Sequence, residues 1–372
     1  MPDRPEITRL APSPTGSLHL GNARTFLVNW AMARQRGWRI VLRIEDLDSP
    51  RVKAGTDREA MDLLAWLGID WDQGPSYQSA DLGAYREAMR VLAGAGLVYP
   101  IALTRAEIET AIAGRTPASP RGEPVASASR SSEPDHASSS DGEDPDAASA
   151  PQEGSHEIVF PAWLRPNAVG PRAFDDERTN WRLVADSAPI EFVDAFAGPC
   201  RVDVARTIGD FVVWTKRAVP AYQLAVVVDD ARQGVTQVVR GDDLLDSTAR
   251  QILVARALGL DHAPTHTHLP LVRGPDGRRL AKRHGDTRLH AYRSAGVSPE
   301  RIIGLLAAWS GIGDRRRPTP MAAAEFLDRF DLSRMPHEPV VMAPEDDAWL
   351  RCEALGAIST IDTPSPSTGD DA

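Results

Sequence analysis

A chain of 372 residues, 42% apolar and 25% charged, has room for two modules and the balance of a soluble globular protein. No run nears the ~20 apolar residues of a membrane span, the start Met1-Pro2-Asp3-Arg4 lacks the marks of a signal peptide, and two cysteines, Cys200 and Cys352, exclude a disulfide framework or a four-thiolate metal site; a cytoplasmic protein is expected. The net charge of −10 counts against a nucleic-acid partner only as an average, because eight Asp/Glu and three Arg crowd residues 114–156 and three Asp lie in 359–372, leaving −2 elsewhere.

In chain order, residues 7–11 read as a strand ending in the turn-forming cluster Pro12-Ser13-Pro14-Thr15-Gly16. A helical pattern follows, with Ala23, Leu27, Trp30 and Ala31 on one face. Residues 40–44 form a second strand candidate running into Glu45-Asp46, and helical patterns cover about 56–67 and 81–96. Residues 114–156, almost all Ser, Ala, Pro, Gly, Asp and Glu, cannot bury enough apolar area to offset ordering entropy, so a disordered acidic insertion is expected. Beyond it, 182–184 and 190–194 read as strands, the apolar run 224–228 as a strand buried in a parallel sheet, and 235–239 as another. A helical pattern carries Leu245, Ala249, Ile252 and Leu253, and 268–272 is a last short strand. Helical patterns at 299–309 and 321–330 precede a polar tail. Strand–helix alternation predicts an α/β fold with a parallel sheet in two halves, a smaller insertion between them and a short helical end. The halves are expected at 1–98 and 211–290, the insertion at 99–210, the helical end at 291–358 and a disordered tail at 359–372.

Two segments carry chemistry. His19-Leu20-Gly21-Asn22 stands between a strand and a helix, where phosphates meet free amide donors, and Gly21 permits close approach. Taken alone it is equally an ordinary turn with a surface histidine. Arg279-Leu280-Ala281-Lys282-Arg283-His284 is a glycine-flanked basic loop suited to clamping polyphosphate, and Lys282 is one of only three lysines.

With Arg9-Leu10-Ala11-Pro12-Ser13-Pro14-Thr15-Gly16, Arg43-Ile44-Glu45-Asp46-Leu47-Asp48, Tyr222-Gln223-Leu224 and Val239-Arg240-Gly241-Asp242-Asp243-Leu244, these segments resemble the class I aminoacyl-tRNA synthetases of the glutamyl type. The resemblance covers roughly 1–113 and 157–330 and implies a Rossmann-type parallel sheet with an inserted α+β acceptor-type domain. It implies ATP with Mg²⁺, and catalytic roles for His19 and Lys282. ATP would be bound by Pro12, His19, Gly21, Asn22 and residues Arg279, Leu280, Ala281, Lys282 and Arg283. Glutamate would be bound by Arg9, Ala11, Ser13, Glu45, Tyr222 and Arg240. The charges fit independently: glutamate has two carboxylates and one ammonium, Arg9 and Arg240 can each hold a carboxylate bidentately, and Glu45 can take the ammonium. Arg9 is the choice for the γ-carboxylate, although the sequence does not fix which arginine takes which.

Only 89 residues follow Arg283. This resembles the short branch that activates L-glutamate and attaches it to the queuosine base of tRNA(Asp), and implies no membrane partner and a monomer. The alternatives are a truncated synthetase charging a tRNA 3′ end, or a catalytically dead RNA-binding paralogue, to which Ala281 in place of the family's usual serine lends some weight. Relatives often carry Cys-x-Cys after Tyr-Pro; here Tyr99-Pro100 is followed by Ile101 and Leu103, so zinc is expected to be absent and no metal site is assigned. The pairs Asp229-Asp230 and Asp242-Asp243 are expected to form turns and helix caps.

Overall fold

The computed structural model describes residues 5–48, 50–115, 158–185, 188–278, 280 and 287–358. The acidic segment beyond Arg115, the tail beyond Ile358, and Arg279, Ala281, Lys282 and Arg283 lie outside the described residues.

The first half runs β1 (Ile7–Leu10), α1 (Leu20–Arg36), β2 (Arg39–Ile44), α2 (Thr56–Trp66), β3 (Gln73–Tyr77), α3 (Gly83–Gly94), β4 (Val98–Ile101) and α4 (Arg105–Arg115). The middle runs β5 (Asn180–Leu183), β6 (Ile190–Asp194), β7 (Gly198–Val202), α5 (Val204–Thr207), β8 (Phe211–Thr215) and β9 (Val219–Pro220). Then come α6 (Tyr222–Gln233), β10 (Gln237–Gly241), α7 (Leu245–Ala257), β11 (Thr265–Leu269), β12 (Val272–Arg273), α8 (Leu289–Ser294), α9 (Pro299–Trp309), α10 (Ala323–Arg329), β13 (Val340–Val341) and α11 (Pro344–Ile358).

Five parallel strands form the central sheet in the order β11-β10-β1-β2-β3. Chain order therefore reverses at β1, flanked by β10 and β2, and ligands bind beyond the carboxyl ends of strands at such a switch point. A period-two alternation sorts the side chains. Leu10, Ile40, Leu42, Ile44 and Val239 enter the core shared with α1, α2 and α9. Arg9, Arg43 and Arg240 occupy the intervening positions and face the side covered by α6 and α7. Helix α1 is locked to the sheet by polar groups as well: Asn29 Nδ2 donates to the Arg9 carbonyl at 2.9 Å, and Thr8 Oγ1 to Asn29 Oδ1 at 2.9 Å. Buried Arg24 on α1 donates to the carbonyls of Pro270 (2.7 Å) and Trp309 (2.9 Å), tying the helical end to the sheet, and burial lowers its pKa to about 10.

Strands β4, β5, β8 and β9 form a separate antiparallel sheet, so that sheet extends past residue 210 to Pro220. A third core of Tyr99, Ile108 and Phe160 lies beneath it, and Ile101 and Leu103 pack against that cluster. There Asp210 is buried, accepting from the Tyr99 hydroxyl at 2.6 Å and from Arg165 at 2.8 Å through both carboxylate oxygens. Gly209 has φ +72°, and a Cβ there would meet the Phe160 carbonyl oxygen at 1.9 Å, so this crossing requires glycine.

Two expectations need correction. The run 224–228 is helix α6, not a strand: a short continuous apolar run cannot distinguish a buried helix from a buried strand, and burial of consecutive residues from Tyr222 to Asp230 accounts for its lack of periodicity. The region after residue 330 is not merely a polar tail, since β13 pairs with β12 and α11 follows.

Candidate active site

The loop after β1 and the start of α1 form one wall. His19 is the N-cap of α1, and its Nδ1 accepts from the amides of Gly21 (3.1 Å) and Asn22 (3.4 Å). With Nδ1 an acceptor, the proton of the neutral ring sits on Nε2. A Cβ on Gly21 would come within 3.1 Å of that ring, so glycine here makes room for the histidine. Ala11 and Ser13 are half-buried and Pro12 buried in the same loop, and the Pro12 carbonyl accepts from the Glu45 amide at 3.1 Å.

The second basic segment is anchored at both ends beside the first. Leu280 is buried in the main core and its amide donates to the Val272 carbonyl at 3.2 Å. Past the undescribed residues, the Leu20 amide donates to Thr287 at 3.1 Å and the Leu289 amide to Leu18 at 2.8 Å, forming a bridge between His19 and Arg288. Thr287 and Arg288, which follow that segment, thus lie beside His19.

Beneath this wall lies a buried field of charges. Arg43 donates to Asp230 at 2.7 Å and to Glu45 at 3.3 Å, and Arg9 Nε lies 3.6 Å from the same Asp230 oxygen. Burial alone would lower the Arg43 guanidinium, but Asp230, Glu45 and Asp229 outweigh it and raise its pKa. Burial would raise Asp230, yet Arg43 and Arg9 hold it below the usual carboxylate range. Glu45 goes the other way: burial raises it, against the pull of Arg43 and Arg9. Burial likewise raises Tyr222, the first residue of α6, which interacts with Arg240, Glu45 and Arg9. Arg240, from β10, is lowered by burial, and its Nε donates to His268 Nε2 at 2.9 Å and its Nη2 to Thr248 Oγ1 at 2.9 Å.

Three guanidinium donors of this field are left over. Arg9 Nε, Arg43 Nε and Arg240 Nη1 are buried without a hydrogen-bond partner among the described residues, although Arg9 Nε still lies 3.6 Å from Asp230. Buried guanidinium nitrogens rarely stay unsatisfied.

Arg9, Glu45, Tyr222 and Arg240 are therefore together, and His19, Gly21 and Asn22 stand at the rim with Leu280. Arg279, Ala281, Lys282 and Arg283 lie outside the described residues. Sequence reasoning gave Arg43, Asp229 and Asp230 no part in the site, and the turn or helix-cap role expected of 229–230 is overturned, since both lie inside helix α6. Asp230 pairs with Arg43 and Arg9, and Asp229 accepts from the Tyr85 hydroxyl (2.8 Å) and Gln78 (2.7 Å), both within helix α6. Two acids closing a run of five apolar residues were the available signal, because carboxylates seldom enter a core unpaired. Asp242 and Asp243 lie in a single helical turn leading into α7, as expected of helix-start acids.

Among the described residues, no group of three or more His, Cys, Asp or Glu is placed to hold a metal ion, and no helix is long and apolar enough to cross a membrane.

Residues 7–146 and 166–345 match the model of the tRNA synthetases class I (E and Q), catalytic domain. A glutamyl-Q tRNA(Asp) synthetase of Symbiobacterium thermophilum is 41% identical over 92% of this chain and 97% of its own length. A glutamate–tRNA ligase of Syntrophobacter fumaroxidans is 34% identical over 94% of this chain but only 66% of its own. The fold is shared with a glutamate-tRNA synthetase of Elizabethkingia anophelis, at TM-score 0.68 and 23% identity, over 95% of this chain and 71% of that one. By this span and identity the chain belongs to the class I tRNA synthetases (E and Q), with the glutamyl-Q tRNA(Asp) synthetases.

Proposed function

We propose that this protein activates L-glutamate with ATP to glutamyl-adenylate and transfers the glutamyl group to the queuosine base of tRNA(Asp). The observation that carries the first step is the gathering of buried Arg9 and Arg240 around Tyr222 with Glu45, where Arg240 Nη1 has no hydrogen-bond partner among the described residues. A dicarboxylic amino acid matches that charge set: the arginines take the two carboxylates, Glu45 takes the ammonium, and Ala11, Ser13 and Tyr222 line the remainder.

In the first step the α-carboxylate attacks the α-phosphorus of ATP, the bond to the β-phosphate breaks and pyrophosphate leaves. Such a step calls for positioning and charge neutralisation, with no covalent nucleophile on the protein. The phosphates bind at the start of α1, where His19 is the N-cap and Pro12, Gly21 and Asn22 leave the backbone approachable. Arg279, Lys282 and Arg283 supply the cations; within the segment Leu280 is tethered to Val272, and after it Thr287 is tethered to Leu20, next to His19. Mg²⁺, as ATP-dependent synthetases of this class use it, comes with the nucleotide. In the second step a hydroxyl of queuosine attacks the glutamyl carbonyl and AMP leaves. The match to a glutamyl-Q synthetase over nearly its whole length supports this acceptor. Apolar packing of Ile101 and Leu103 against Tyr99, Ile108 and Phe160 takes the structural place of a zinc site.

The test is glutamate-dependent ATP–pyrophosphate exchange, with and without tRNA. Lys282→Ala is expected to slow exchange ~10²-fold or more, the usual loss for a single donor to transition-state charge. Exchange at the wild-type rate in that variant removes Lys282 from the mechanism, and no exchange in the wild type removes the enzyme reading.

A further inference from the structure

We propose that Asp194 and His268 form a relay from the inserted hairpin that fixes the guanidinium of Arg240 for glutamate recognition. The proposal rests on the reading of Arg240 as a carboxylate ligand. Both side chains are fully buried. Arg240 and His268 are register partners on adjacent strands β10 and β11, so their side chains share one face of the sheet.

The order of hydrogen bonds fixes the imidazole. His268 Nδ1 lies 2.6 Å from Asp194 Oδ2, and an ionised carboxylate can only accept, so Nδ1 carries the proton. Arg240 Nε can only donate, so His268 Nε2, 2.9 Å away, accepts. The neutral Nδ1–H tautomer is the one state compatible with both neighbours, and burial also disfavours the imidazolium. With Nε held by His268 and Nη2 by Thr248 and the Leu244 carbonyl, Nη1 is the nitrogen without a hydrogen bond among the described residues, on a guanidinium that also interacts with Tyr222.

Asp194 is itself rigidly seated. Its Oδ1 accepts from the amides of Phe196 (3.0 Å), Ala197 (2.8 Å) and His268 (3.1 Å), closing the β6–β7 hairpin turn, while the Ala195 amide donates to the His266 carbonyl at 2.8 Å. A hairpin outside the parallel sheet thereby sets the back of the amino-acid pocket.

Asp194→Asn is a nearly isosteric test. Its amide oxygen can keep the three backbone contacts, but its NH₂ now faces His268 Nδ1 and forces the proton to Nε2, donor against the Arg240 donor. The expected result is a glutamate KM raised ~10- to 100-fold, with the ATP KM and kcat within a few-fold of wild type. His268→Leu, which leaves the Asp194 backbone contacts in place, is expected to do the same. Asp194→Asn added to His268→Leu should cost nothing more, because the relay is already cut. Imidazole ¹⁵N shifts should report Nδ1–H in the wild type and Nε2–H in Asp194→Asn. An unchanged glutamate KM, parallel rises in the KM of glutamate and ATP, or additive effects in the double variant would overturn the relay. Absent exchange in the wild type would instead overturn the pocket assignment on which it stands.

Discussion

The two sheets solve burial in opposite ways. The face of the parallel sheet under α6 buries Arg9, Arg43 and Arg240 against Asp229, Asp230 and Glu45, an arrangement costly to desolvate. The antiparallel sheet covers apolar Tyr99, Ile108 and Phe160, with an ionic knot of Arg165 and Asp210 beside them. Buried ion pairs are often no more stabilising than well-packed apolar side chains of the same volume. Under the proposed function the charges serve the ligand, concentrated where the proposed dicarboxylate would be read.

Removing one member of the charged field should have the largest effect. Asp230→Asn leaves Arg43 and Arg9 without their shared carboxylate and is expected to cost ~3–5 kcal/mol in urea unfolding, because it strands buried cations. A loss below ~1 kcal/mol would place that field in the class of exposed ion pairs and erase the contrast. Next comes the apolar side of the comparison. Ile108→Ala should cost ~2–4 kcal/mol by opening a cavity, while the glutamate KM stays at its wild-type value at permissive temperature. A changed KM would mean that the two cores do not act separately.

The smallest effect concerns pH. Burial lowers the His266 pKa from its ordinary 6.5 to about 3, so between these values the unfolded chain binds a proton that the native protein does not. Stability should therefore fall as pH drops below about 6.5, by roughly 1–2 kcal/mol between pH 7 and pH 5. Thermal melts of His266→Gln should flatten that slope; an unchanged slope would assign the acid sensitivity elsewhere.

Much of this layout was legible before any coordinates. Helix α9 falls at 299–309 and helix α2 within 56–67, because their apolar spacing repeats at the helical period. Arg9, Glu45 and Arg240 were legible as a charge set that fits glutamate, and Tyr222 only through the family resemblance. Helix α6 was not, since its residues from 222 to 230 are all buried and no face is marked by polarity. Strand β3, Gln73–Tyr77, was hidden for the opposite reason: it is an edge strand with a Gly-Pro pair and largely exposed residues, and carries no apolar alternation. The Asp194–His268–Arg240 relay joins residues up to 74 positions apart, and only the pairing of β11 with β10 and the docking of the hairpin bring them together.

The most direct test of the central claim is to supply radioactive glutamate, ATP and total tRNA containing queuosine, then map the labelled nucleotide by nuclease digestion. The account predicts label on the queuosine of tRNA(Asp) and none on a 3′-terminal adenosine. Label confined to a tRNA 3′ end would contradict it and make this a tRNA-charging enzyme.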